Sequence, residues 1–137
     1  MQKQYIGTKI ITAWPEEKDG REGYVVRYAD GYTSWSPKEA FEEAYRITDS
    51  MNFGLAVEAM RKGKKVARSG WNGKGMFVFL VPGSTFNVNR PPLLGIYPEG
   101  TEINYCPHID MRTADGKIVP WLASQTDVLA DDWNIVE

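Results

Sequence analysis

Hydrophobic positions change their spacing several times along the chain, and each change marks an element. Tyr5 to Trp14 sets Ile6, Ile10 and Ile11 among threonines and predicts a strand. Pro15 to Glu22 is charged and predicts a loop. Gly23 to Tyr28 and Tyr32 to Trp35 flank Asp30-Gly31, a turn dipeptide, and predict a hairpin. From Ser36 the period lengthens. Ala40, Phe41, Ala44 and Tyr45 share one side of a helix, with Ser36 as cap, Pro37 at its first position and Glu39 completing a capping box.

After Ile47 to Ser50, which read as a linker, a second helix is predicted over Phe53 to Lys62. Phe53, Ala56, Val57 and Met60 form its apolar stripe, and Gly63 is placed to end it. Lys64 to Arg68 and Met76 to Val81 read as strands. Pro82-Gly83 and Pro91-Pro92 bracket a long irregular stretch. Ile103 to Arg112 and Lys117 to Leu122 read as a hairpin closed at Asp115-Gly116. Ser124 to Asp127 repeats the cap signature before a short helix over Gln125 to Ala130, and Trp133 to Val136 is a last strand. The expected class is α+β, a mainly antiparallel sheet packed with one or two helices. Residues 1–49 form a small strand-and-helix module and residues 50–137 the core domain.

The segment Ser69–Gly83 joins a glycine-rich turn carrying Trp71, Asn72 and Lys74 to a strand apolar on both faces. Two readings fit it. Trp71 caps a corner of the core, or it stands at the mouth of a pocket where Gly70, Gly73 and Gly75 let the backbone approach a flat ligand.

Charge narrows the partners. The net charge of −2 does not suit an extended DNA or RNA polymer. Arg61, Lys62, Lys64, Lys65, Arg68 and Lys74, with no acid between them, suffice for a small phosphorylated anion. Beyond Lys117 the bias reverses, with Asp127, Asp131, Asp132 and Glu137, either a solvated face or a determinant of subunit pairing. One cysteine, Cys106, excludes an internal disulfide and fits a reducing compartment. No apolar run spans a membrane and no signal peptide is visible, so a cytosolic protein is expected.

A search for catalysis finds little. Cys106, His108 and Asp110 would share one face of a strand, but a hydrogen-bonded histidine at a pocket or interface is the default reading of that spacing. The glycine turn lacks the Gly-Lys-Ser/Thr ending of a phosphate loop. Asp131-Asp132 are adjacent and point different ways. No catalytic residue, metal or cofactor is expected. Parts for gripping a nucleotide are better represented. Trp71 and Trp121 can stack on a base, and Arg68, Arg90 and Arg112 can fork onto phosphate. Asn72, Asn104, Ser124, Gln125 and Asp127 can bind ribose or base edges, although Ser124 and Asp127 also suit a helix cap.

Several runs carry a family resemblance: Met51-Asn52-Phe53-Gly54, Val66 to Met76, Asn89-Arg90-Pro91-Pro92-Leu93, Pro107 to Met111, Asp115-Gly116, Val119 to Ala130, and Asp132-Trp133. From Met51 to Glu137 the chain resembles the second Thoeris anti-defence family, small phage proteins. The resemblance implies a homo-oligomer, typically a homotetramer, in the cytoplasm of the infected bacterial host. It would bind a cyclic ADP-ribose isomer, or a related cyclic di- or oligonucleotide, between protomers without cleaving it, so that the defence effector stays off. Ligand residues are expected among Trp71, Asn72, Arg68, Arg90, Asn104, Arg112, Trp121, Ser124, Gln125 and Asp127. The alternatives are an enzyme degrading the same signal and a protein-interaction module. The run Asp30 to Lys38 with Phe41 to Tyr45 is similar to a short module at the start of various phage proteins, with no activity to carry over.

Overall fold

A left-handed Gly31 (φ 88°) lets the chain reverse between two strands, closed by the Tyr28 N–H on the Tyr32 carbonyl at 2.9 Å. In the computed structural model, which describes residues 1–137, this hairpin is β2 (Gly23–Arg27) and β3 (Thr33–Pro37). β1 (Thr12–Pro15) pairs antiparallel with β2, giving the order β1-β2-β3. Helix α1 (Lys38–Ala44) follows, and Phe41 stacks on Tyr24 of β2 at 4.1 Å between centroids and on Tyr45 at 4.9 Å. Val26 is buried in this unit, which spans Met1–Thr48.

Three expectations fail in this unit. Tyr5 to Ile11 is not strand, because the register ends at Thr12 opposite Arg27, where β2 enters its turn and offers no further partner. Ser36 does not cap the helix. It lies in β3 opposite Tyr24, and Pro37, without a capping side chain, precedes the first helical residue. Ala40 and Ala44 are exposed, so Phe41 and Tyr45 carry the packing.

The second unit, Asp49–Glu137, holds helix α2 (Phe53–Arg61), strands β4 (Lys65–Arg68), β5 (Phe77–Val81), β6 (Ser84–Asn87), β7 (Glu102–Tyr105), β8 (His108–Arg112) and β9 (Ile118–Pro120), helix α3 (Gln125–Val128) and β10 (Trp133–Val136). Asn52 caps α2 by accepting the Leu55 N–H at 2.9 Å, and Gly63 (φ 84°) ends it. Five strands form an antiparallel sheet in the order β10-β4-β5-β8-β9. Its register aligns Val66, Val78 and Met111 on one face, where they meet Ala56, Ala59 and Met60 of α2 with Met51 and Trp133. The architecture is α+β and antiparallel, as the sequence predicts. No helix is long and apolar enough to cross a membrane.

The bracketed stretch is not all irregular, since β6 pairs with β7 as a separate ribbon. Ile103 to Arg112 is not one strand either. Pro107 has no N–H to give a ladder, and the chain passes there from the ribbon at β7 to the main sheet at β8.

Candidate functional site

Strand β4 ends at Arg68, and the turn after it carries Gly70 to Gly75. The guanidinium of Arg68 faces two carboxylates from the far end of the sequence. Nε donates to Asp132 Oδ1 at 2.9 Å and Nη1 to Asp127 Oδ1 at 2.8 Å. The Gly70 N–H donates to Asp132 Oδ2 at 2.7 Å and the Trp71 Nε1–H to Asp127 Oδ1 at 3.2 Å. Asp127 also completes a capping box on α3, its N–H bonding the Ser124 hydroxyl at 3.1 Å and its Oδ2 accepting the Ser124 N–H at 3.3 Å. Its carbonyl accepts the indole N–H of Trp133 at 2.8 Å. One aspartate thus joins β4, the glycine turn, α3 and β10.

Aromatic rings close over this network. Trp71 meets Trp133 at 5.3 Å and Trp121 at 6.2 Å, both edge to face, and Trp121 meets Trp133 at 6.0 Å. Phe53 of α2 lies 5.3 Å from Trp133. Arg68 is 15% exposed at its side chain and Asp127 is buried.

Electrostatics explain why a charge cluster survives there. Burial alone would raise the Asp127 carboxyl, but hydrogen bonds from Arg68, Trp71 and Ser124 outweigh it and hold the group below the usual carboxylate range. Asp132 is lowered chiefly by its bond from Arg68, then by the Gly70 N–H against an opposing burial effect. Arg68 is raised by the same two carboxylates. Each buried side-chain polar atom has a partner.

The structure therefore gathers Arg68, Trp71, Trp121, Ser124 and Asp127 into one assembly. Both indoles pack on each other edge to face, so they do not sandwich a base between them. Gly70 and Gly75 permit close approach, but to the protein itself. A Cβ at Gly70 would lie 2.9 Å from Asp132 Oδ2, and one at Gly75 (φ 73°) 2.9 Å from Arg112 Nη1. Arg112 of β8 grips the turn from its other end, Nη1 donating to the Gly75 carbonyl at 2.8 Å. Asn72, Lys74 and Gln125 are exposed beside the assembly. Arg90 and Asn104 belong to another part of the unit. Asn104 lies on β7, where it accepts the Thr85 hydroxyl at 2.6 Å, and Arg90 is exposed in the turn beyond β6. Of the Cys106, His108 and Asp110 set, His108 Nε2 and Asp110 Oδ1 lie 3.4 Å apart, while Cys106 falls outside the strand, exposed.

Sequence reasoning missed Asp132, Trp133 and Phe53. The adjacency of Asp131 and Asp132 hides that Asp132 shares Arg68 with Asp127. No local pattern shows a pair 64 positions apart. The capping signature at Ser124–Asp127 was the one visible sign that this acid is held in place.

Fold and assembly together define a small α+β domain locked by a tryptophan-lined charge network. The chain belongs to the Thoeris anti-defense 2-like family, whose sequence model matches residues 51–136. Over 86 residues it is 45% identical to Thoeris anti-defense 2 of Bacillus phage SP01, a match covering 63% of this chain and 94% of that protein. It is accordingly a member of a family of anti-defence proteins directed at Thoeris.

Proposed function

We propose that this protein counters Thoeris by binding a cyclic ADP-ribose isomer, or a related cyclic di- or oligonucleotide, and holding it uncleaved. The reading places it in the cytoplasm of the infected host, acting as a homotetramer with pockets between protomers. The observation that supports it most is the self-satisfied assembly around Asp127, which frames exposed Asn72 and Lys74 in the turn that Arg112 grips and exposed Gln125 on α3. Preorganised polar groups bind a ground-state ligand without the entropic cost of ordering loops. The same assembly is a poor source of general base. Asp127 and Asp132 are lowered and bonded to Arg68, whereas an effective base titrates near the working pH. Sequestration requires affinity for the ligand and no stabilisation of a transition state.

The test is to incubate the protein with the cyclic ADP-ribose isomer, remove free ligand, denature by heat and weigh what is released. Intact ligand is expected, and a changed mass would make the protein an enzyme. No ligand retained, with no thermal stabilisation, would favour a protein-interaction module. Asn72→Ala, at an exposed position, is expected to weaken retention about tenfold, ~1.4 kcal/mol. Unchanged retention would move the pocket away from this turn.

A further inference from the structure

The first unit lies outside the family match and carries a surface of its own. Register places Trp14, Val25 and Trp35 in one row across β1, β2 and β3, with Thr12, Arg27 and Thr33 in the next row on the same face. The other face carries Tyr24, which α1 covers through Phe41. No helix or strand of the unit lies over the tryptophan row. Trp14 is 37% exposed, and Trp35 and Val25 are half-buried.

Both indoles carry cations, and Trp35 is also held in place. A Cβ at Gly23 would collide with the Trp35 ring, so glycine lets that ring lie against the sheet, and its N–H donates to the Glu16 carbonyl at 2.8 Å. Arg27 lies over Trp14 with its guanidinium 5.5 Å from the ring centre. Lys18 and Arg21 lie over Trp35 at 5.8 and 5.9 Å. Asp19 sits at the tip of the turn between these two cations. The other acids of the same loop go elsewhere. Glu16, Glu17 and Glu22 line a cavity with Tyr24 and Lys38, and Glu22 pairs with Lys38 at 3.5 Å. Three cations and Asp19 thus lie at the tryptophan row, while Glu22 pairs with Lys38.

We propose that the Trp14–Trp35 face of the first unit is a binding surface for single-stranded nucleic acid. Partly exposed rings overlaid by cations match a flexible polyanion whose bases stack on ring and guanidinium planes. Rings in a row suit stacked bases better than an extended peptide, which takes its specificity from side-chain pockets. The net charge of the whole chain conceals the three cations gathered on this face.

Fluorescence anisotropy of labelled dT12 and rU12 with the full chain tests the proposal. The two probes separate DNA from RNA, and binding of either supports it. Affinity should fall with salt with a log–log slope of about −2, as expected for roughly three phosphate contacts. Trp14→Ala should weaken binding about tenfold. Arg27→Gln, at an exposed residue, should make the slope shallower by about 0.7. Lys38→Gln on the other face should leave binding unchanged. Three results would overturn the proposal: no binding of either probe at low salt, binding indifferent to both Trp14→Ala and Arg27→Gln, or equal competition by poly-L-glutamate, which would mark the face as a site for acidic peptides.

Discussion

Five tryptophans divide between the two units, and they are used in opposite ways. In the second unit Trp71, Trp121 and Trp133 meet edge to face around a buried aspartate, and two of them spend their N–H groups on it. In the first unit Trp14 and Trp35 lie a strand apart on an uncovered sheet face, with cations on the rings. Aromatic content alone does not separate a core from a binding surface. What separates them is the neighbour: another ring and a carboxylate in one case, solvent and a guanidinium in the other.

Several experiments break or sharpen this contrast. Asp127→Ala should do the most damage, because it removes a cap, unpairs the Trp71 N–H and leaves a largely buried Arg68 with one partner. A loss of about 3 kcal/mol in the stability of the second unit is expected by chemical denaturation. A loss under about 0.5 kcal/mol, the range of an ordinary surface substitution, would mean the cluster is ornamental.

Acid should produce a milder version of the same failure. Asp127 and Asp132 are lowered in the folded state, so below their ordinary value of 3.8 the unfolded chain takes up protons first. The stability they contribute is fully present above about pH 5 and drains away as pH falls through 3.8 towards the folded values. A pH series of urea melts that stays flat down to pH 3 would contradict the assignment.

Phe41→Ala removes the stacked ring that holds α1 to the sheet and should cost the first unit about 2 kcal/mol, read as lost helical signal. Trp71→Phe keeps a ring but loses the bond to Asp127 and part of the packing on Trp121 and Trp133, at least about 1 kcal/mol. At the bottom of the scale, Lys38→Ala breaks an exposed pair with Glu22 and should leave the melting temperature unmoved.

Local chemistry made much of this legible. Trp133–Val136, the cap at Ser124–Asp127 and the end of α2 at Gly63 were all readable, because each is decided within a few residues. Tyr5 to Ile11 has the composition of a strand but no neighbour to pair with, and composition cannot supply one. The β6–β7 ribbon stayed hidden because its halves are short and separated by the Val88 to Thr101 segment. At the site, the residue types were visible while their mutual attachment was not. Arg68 and Asp127 looked like two hands for a ligand and turn out to hold each other.

Met51 and Trp133 exchange backbone hydrogen bonds at 2.8 and 3.0 Å, and both are buried. The family match opens at one of these residues and closes three positions past the other. The domain is therefore fastened at its own seam, as a belt is, its entering segment bound to its last strand. A portable part needs that property. Every rung of the domain's main sheet lies within Asp49–Glu137.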